Sequence, residues 1–187
     1  MSEFCHSETW AARGTLRLAQ KVLGLYLVRT HAGRRSEHLI TEVEAYDGER
    51  DRACHARFGR TARSAPLYAE GGIWYVYLCY GMHQMLNLVV GPAGWPAAIL
   101  IRSVADIAGP GRLTKALAIG RVLNGRPATP TSGLFLEDHG VRVPRRLIQR
   151  TPRIGVDYAG PVWARKPWRF TFDPAALPAR HPAPRPR

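Results

Sequence analysis

The chain has little cysteine, equally little lysine and no long apolar run. Its three cysteines, Cys5, Cys54 and Cys79, are scattered with no Cys-x-x-Cys spacing. They can build neither a disulfide framework nor a four-cysteine zinc or iron–sulfur site. Cys54 and His55 are neighbours, which points their side chains apart rather than at one ion, so no metal or other cofactor is expected. No stretch reaches the ~18 apolar residues of a membrane span. The start, Met1-Ser2-Glu3-Phe4-Cys5-His6, lacks the basic and apolar regions of a secretory leader. A cytoplasmic protein without membrane contact is therefore expected.

Lysine occurs only at 21, 115 and 166, so 24 of the 27 basic residues are arginine; against 14 acids the net charge is +13. Such a balance suits a polyanion, with binding that weakens as salt rises. Arginine favours bidentate phosphate contact and stacking over a bare point charge. Six of the acids, from Glu37 to Asp51, fall within 15 residues. A carboxylate in this segment is an exception on a basic chain and is a candidate for chemistry.

At 187 residues one domain is expected, spanning residues 10–173, with a loose leader over 1–9 and a flexible tail over 174–187. The tail holds five prolines and three arginines, a composition that cannot build a core. Leu16, Ala19, Val22 and Leu23 recur at helical spacing, with Gly24 placed to end that helix. Strands are expected at Leu25–His31, Glu37–Tyr46, Ile73–Cys79, Met85–Val90 and Ala97–Arg102, and strand-like segments at Ile154–Val156 and Trp168–Phe172. Gly109-Pro110-Gly111 opens a helical stretch expected over Leu113–Leu123, and residues 125–153 read as a basic loop region. Strands outnumber helices and follow one another as hairpins, so the class is α+β: one compact domain with a curved, mainly antiparallel sheet and flanking helices.

Alternate strand residues share a face, which puts Glu42, Glu44 and Tyr46 on one side. Two carboxylates there repel unless water or a cation intervenes. One of them is a candidate to activate water. On the next strand Tyr75, Tyr77 and Cys79 share a face, while Tyr80 reaches the turn of Tyr80-Gly81-Met82. A large aromatic has little to bury against at a turn, but one can enter a base step there and displace a nucleotide. His55 lies in the polar segment between these strands and could donate a hydrogen bond to a base edge. Arg57, Arg60 and Arg63 follow at three-residue steps, which places them on one side of a helical turn as a candidate phosphate clamp. The helix start at Gly111 and Arg112 offers N–H groups and a cation to a phosphate. Arg142, Arg145, Arg146, Arg150 and Arg153 are further candidates for backbone contact.

Glu42-Val43-Glu44-Ala45-Tyr46, Ala53-Cys54-His55-Ala56-Arg57, Trp74-Tyr75-Val76-Tyr77 with Tyr80-Gly81-Met82, and Asn87 resemble the alkyladenine (3-methyladenine) DNA glycosylase family. So do Leu100-Ile101-Arg102, Gly109-Pro110-Gly111-Arg112-Leu113, Arg153-Ile154-Gly155-Val156 and Lys166-Pro167-Trp168-Arg169-Phe170. These motifs keep the family's order and spacing from about Leu16 to Phe172. The resemblance implies a metal-free, monofunctional base-excision repair enzyme, a monomer acting on damaged purines in double-stranded DNA at the nucleoid. It implies Glu44 as the general base, with Arg102 and the Val156 carbonyl holding the water. It further implies that Tyr46, His55 and Tyr77 enclose the flipped base, that Asn87 disfavours the guanine 2-amino group, and that Tyr80, beside Met82, is the wedge. The sequence departs from the family's usual asparagine and methionine at Ser64 and Leu67, and from Ala-x-Glu-Pro at Ser103-Val104-Ala105-Asp106.

Two other readings compete. A non-catalytic nucleic-acid binder on the same fold would gain nothing from a carboxylate among phosphates, whereas a hydrolase needs Glu44. A strand-cutting glycosylase would need an amine in the pocket, and none of Lys21, Lys115 and Lys166 lies on the strands expected to line it.

Overall fold

The computed structural model describes residues 3–5 and 7–177. After the helix α1 (Thr15–Val22), strands β2 (Tyr26–His31) and β3 (Arg34–Asp47) form a hairpin. Then come β4 (Trp74–Cys79), β5 (His83–Val89), β6 (Ala97–Val104), α2 (Pro110–Ala116) and β7 (Leu134–Asp138). The chain closes with β8 (Gln149–Thr151), the short helix α3 (Pro161–Ala164) and β9 (Arg169–Thr171). With a first strand β1 (Glu3–Phe4), the strands order as β1-β7-β2-β3-β6-β5-β4, and β9 joins β3 and β8. All pairings are antiparallel, as the α+β class expected.

The 14-residue β3 is the spine. Its first half pairs with β2, and its second half pairs with β6 on one side and β9 on the other. The register with β6 shifts between Ile40 and Glu42 and again between Glu42 and Val43. A bulge there bends the strand and re-aims the side chains that follow.

Period-two alternation divides this half of the sheet into two faces. Val43, Ala45, Trp74, Val76, Leu86, Leu88, Ile99 and Ile101 enter the main core, which α1 covers with Leu18, Ala19 and Val22 and α2 with Leu113. Burying each such side chain contributes about 1.5–3 kcal/mol before conformational entropy is counted. The opposite face carries Glu44 and Tyr46, Arg102, Asn87, Tyr75 and Tyr77, and there the cavity opens.

Four expectations change. The helix expected over Leu113–Leu123 runs only Pro110–Ala116. The buried Arg29 guanidinium ends it by taking the Leu117 carbonyl with Nε (2.9 Å) and the Ala118 carbonyl with Nη2 (3.2 Å). Ala118 then turns to φ 48°, and a separate 3₁₀ turn follows at Arg121–Leu123. The basic loop region contains β7, whose Leu134, Phe135 and Leu136 are all buried. Without alternation, its five residues gave no strand signature. Ile154–Val156 is not a strand, since Gly155 sits at φ 73° and the Ile154 amide is spent on a side chain.

The fourth change concerns the termini. Within the leader expected to be loose, Glu3 and Phe4 pair with Asp138 and Glu137. At the other end Pro174–Ala176 forms a 3₁₀ turn and Leu177 packs on the core. The rest of the expected tail, 178–187, lies outside the described residues.

Gly71 marks the closest backbone approach near the core. A Cβ there would overlap the Trp10 carbonyl and lie 3.0 Å from Val90 Cα. Gly71→Ala is expected to cost about 3 kcal/mol, lowering Tm by roughly 6–12 °C in a thermal melt. Gly94→Ala, at φ 83° with open space around its Cβ, should cost only about 1 kcal/mol.

Candidate active site

The pairings Tyr75–Asn87, Asn87–Leu100 and Leu100–Glu44 place these four residues in one row across four strands. Tyr75, Asn87 and Leu100 of that row floor a cavity of about 600 Å³; Glu44 lies behind the wall, bonded to the lining residues Tyr46, Arg102 and Ile154. Segment 53–67 forms one wall, residues 154–158 another, and the β4–β5 hairpin stands at the mouth.

Glu44 is fully buried. Its Oε1 accepts the Ile154 N–H at 2.8 Å and lies 3.3 Å from Arg102 Nη1, and its Oε2 accepts the Tyr46 hydroxyl at 2.8 Å. Burial raises its pKa; Arg102, the Ile154 N–H, the Tyr46 hydroxyl and Arg153 oppose the rise but do not cancel it. Arg102 is also the cation required between the two carboxylates, with its Nε on Glu42 Oε1 at 3.0 Å. Glu42 accepts Arg169 Nη1 at 2.8 Å and the Ser103 hydroxyl at 2.5 Å as well. Burial pushes the Glu42 pKa up, but Ser103, Arg169 and Arg102 together bring it below the ordinary value. Glu42 is thus a fixed counter-ion, while Glu44 is held closer to the point of titration.

A carboxylate has about four acceptor positions. Two hydrogen bonds and one ion pair leave one acceptor position of Glu44 unused.

His55 Nδ1 lies 2.9 Å from the Tyr75 hydroxyl, and its ring meets Tyr77 edge-on at 4.5 Å between centroids. Burial, then Arg63 and Arg57, lower its pKa to about 4, so the imidazole is neutral near pH 7. Which of His55 Nδ1 and the Tyr75 hydroxyl donates is set by the imidazole tautomer.

The Asn87 amide donates to the Tyr75 carbonyl at 3.1 Å and the Met85 carbonyl at 3.2 Å, which fixes its orientation. Val156 lines the cavity, and its carbonyl accepts the Ala159 N–H at 2.9 Å. The residue of this loop that touches Glu44 is Ile154.

The hairpin tip is tightly defined. Cys79 O accepts the Met82 N–H at 3.1 Å, and Tyr80 and Gly81 have φ of 50° and 71°. Positive φ at both central residues is what a type I′ turn requires. Tyrosine is a costly occupant of that position, yet Tyr80 is 83% exposed and Met82 71% exposed. Gly111 passes close to this hairpin, where a Cβ would lie 2.9 Å from His83 Nδ1, and Arg112 is exposed beside it.

The arginines do not form the expected helical stripe. The 3₁₀ turn His55–Phe58 ends at Gly59, with φ 76°, and the three side chains part. Arg57 lies over the rings of Phe58 and Tyr158, at 4.3 and 4.6 Å; Arg60 lies over Tyr68 and Arg63 over Tyr77. Arg57 and Arg63 line the cavity; Arg60 does not. The second basic run also separates. Arg142 pairs with Asp138 at 2.8 Å and Arg150 lies over Phe170, while Arg153 is buried on Asp51 at 2.6 and 2.8 Å. Arg153 therefore does not belong to a DNA-facing patch.

Sequence reasoning missed Asp51, Ile154, Phe58 and Tyr158 as parts of the site; no local pattern marks them. Of the two departures noted, Ser64 is buried and ties its loop by bonds with the Thr61 amide and the Gly59 carbonyl, and Leu67 packs into the cavity wall. No lysine lines the cavity.

A placed carboxylate behind an aromatic pocket, on a strongly basic chain, suits an enzyme that works on DNA. Comparison with known proteins agrees. The profile of the methylpurine-DNA glycosylase (MPG) family matches residues 9–108 and 105–175. An Anaeromyxobacter dehalogenans protein, provisionally named 3-methyladenine DNA glycosylase, is 43% identical over 185 residues, covering 95% of this chain and 87% of that protein. The Arabidopsis thaliana DNA-3-methyladenine glycosylase is 39% identical over 175 residues, covering 83% of this chain and 66% of that protein. The chain belongs to the methylpurine-DNA glycosylase family, and its activity is that of a DNA glycosylase.

His55 gives a direct test of the pocket's electrostatics. Because its folded pKa lies below the ordinary 6.5, its contribution to stability is present above pH 6.5 and is lost as pH falls toward 4. Nitrogen-15 NMR should find it neutral at pH 7, with its midpoint near pH 4. A midpoint near 6.5 would show that the pocket does not desolvate it.

Proposed function

We propose that the chain is a monofunctional glycosylase that flips damaged purines (alkylated, deaminated or etheno) out of duplex DNA and hydrolyses their N-glycosidic bond with water activated by Glu44. The observation that carries this reading is Glu44 itself: fully buried, and held by Arg102, Tyr46 and Ile154, all three of which line the cavity. Water held on its free acceptor position attacks C1′ of the nucleotide. The C1′–N bond breaks with its electron pair going to the base, Glu44 takes the water proton, and an abasic sugar remains. Positive charge developing on the sugar is stabilised by the carboxylate. Arg102 keeps Glu44 ionised despite its burial. It holds the water together with the Val156 carbonyl, which has a second lone pair beyond the Ala159 bond.

Tyr46, His55 and Tyr77 enclose the base, and His55 gives it a hydrogen bond from Nε2. An alkylated purine is cationic, so it stacks well on tyrosine faces and leaves readily. Asn87, with its donors held by two carbonyls, forms a fixed wall that disfavours a guanine 2-amino group. Tyr80, with Met82 beside it, fills the gap left in the stack. Arg57, Arg63, Arg60 and the Gly111–Arg112 helix start hold the phosphates of the bent strand. The enzyme acts as a monomer, in the cytoplasm at the nucleoid, and with no lysine among the described residues that line the pocket it makes no strand cut of its own.

Glu44→Gln is expected to bind hypoxanthine-containing duplex normally while single-turnover base release falls by roughly 10²–10⁴-fold. Near-normal release would remove Glu44 from the mechanism. Tyr80→Ala is expected to reduce the fluorescence change of an etheno-adenine reporter at the lesion, with the fold unaltered because the side chain is exposed. An unchanged signal would place the wedge elsewhere.

A further inference from the structure

Beneath Tyr46, on the side away from the cavity, lies an ion pair that the reaction does not use. Asp51 and Arg153 are both buried, at 0% and 4% exposure. Arg153 Nη1 donates to Asp51 Oδ2 at 2.6 Å and to the Ala45 carbonyl at 2.9 Å, and Nη2 donates to Asp51 Oδ1 at 2.8 Å. The guanidinium carbon stands 4.7 Å from the centre of the Tyr46 ring and 4.9 Å from that of Trp168. Its Nε has no hydrogen-bond partner among the described residues, so the two π faces are what it meets there. Asp51 in turn accepts the Ala53 amide at 3.0 Å and the Asp47 amide at 3.2 Å, which turns the chain toward His55.

Three pieces of the pocket meet at this pair. Ala45 lies between Glu44 and Tyr46 on β3. Arg153 directly precedes Ile154, whose amide binds Glu44. Asp51 anchors the segment that carries His55. A pair serving stability alone could be replaced by apolar side chains of similar volume. Such a replacement would keep neither the fork that spans the three segments nor a charge beside the base.

We infer that Asp51 and Arg153 are positioning residues for the reaction proposed above, holding Glu44, Tyr46 and the Ile154 loop in register and setting the electrostatic balance at Glu44. The inference rests on Glu44 as the base. The charged and titratable groups facing Glu44 are Arg102 from β6, Tyr46 and Glu42 from β3, Tyr77 from β4 and Arg153 from the loop; Arg169 of β9 acts through Glu42. Arg153 is the one of these whose charge is neutralised by a carboxylate, Asp51, that lies outside this set. Each partner should therefore move the titration of Glu44 in its own direction. With the cation gone and Asp51 left alone, the carboxylate is harder to form. With Asp51 neutral and the cation unmasked, it is easier.

The experiment is a single-turnover pH profile of hypoxanthine release for wild type, Asp51→Asn, Arg153→Gln and Arg153→Lys, with carbon-13 NMR titration of the Glu44 carboxyl alongside. Arg153→Gln should move the acid limb upward and Asp51→Asn downward, each by roughly 0.5–1 pH unit. Arg153→Lys keeps the charge but loses the fork. It should leave the limb in place and lower the maximal rate about 10-fold through misalignment. Shifts in the same direction, or none, in folded variants overturn the electrostatic role, and a wild-type rate for Arg153→Lys overturns the positioning role. Where the charge-removing variants fail to fold, the lysine variant alone decides. If Glu44→Gln releases base as wild type does, the glycosylase mechanism fails instead, while the NMR titration still reports whether the pair governs Glu44.

Discussion

The arginine between two carboxylates is the interaction on which the rest of the site depends. Glu42 and Glu44 share a strand face, and without Arg102 one of them would have to be protonated or turned out. With it, Glu42 stays an anion that fixes the guanidinium, and the guanidinium opposes the rise that burial imposes on the pKa of Glu44. The bulge at Glu42 makes this geometry possible by bending β3 where three strands converge. A flat strand would spread the same groups along its length.

Around that centre the pocket has graded polarity. Its charged floor is shielded from solvent, its middle is aromatic with a neutral imidazole, and its rim carries exposed rings with arginines over them. A ring entering the cavity would thus pass from a rim of arginines and exposed aromatics to a middle of tyrosines and a neutral imidazole, above charges that pair with one another. An unmodified, well-stacked base gains less from such an environment, because its own hydrogen bonds in the duplex are already made.

Much of this was legible in the sequence because it follows from period two. The shared faces of Glu42, Glu44 and Tyr46, and of Tyr75 and Tyr77, appear in the structure as read, and the turn position of Tyr80 gave its exposure. What could not be read was long-range. Arg153 lies 102 positions from Asp51, and in a run of arginines nothing separates a buried cation from a solvated one. β7 was hidden because both its faces are buried. The helix after Pro110 was overextended because its end is set by Arg29, 88 residues away from the carbonyl it takes. The spacing of Arg57, Arg60 and Arg63 suggested a stripe, but Gly59 breaks the helical frame that spacing assumed.

The β4–β5 hairpin carries the pocket wall at its base and an exposed aromatic at its tip, joined by a two-residue turn with no slack. Tyr80 lies three positions beyond Tyr77, a span of roughly 10 Å at strand rise. The hairpin is in effect a caliper. It fixes how far the exposed tip stands from the cavity floor, so the depth of the pocket and the reach of that tip cannot drift independently. A change in lesion size would then have to be met by side chains along the shaft, without any change in the length of the tool.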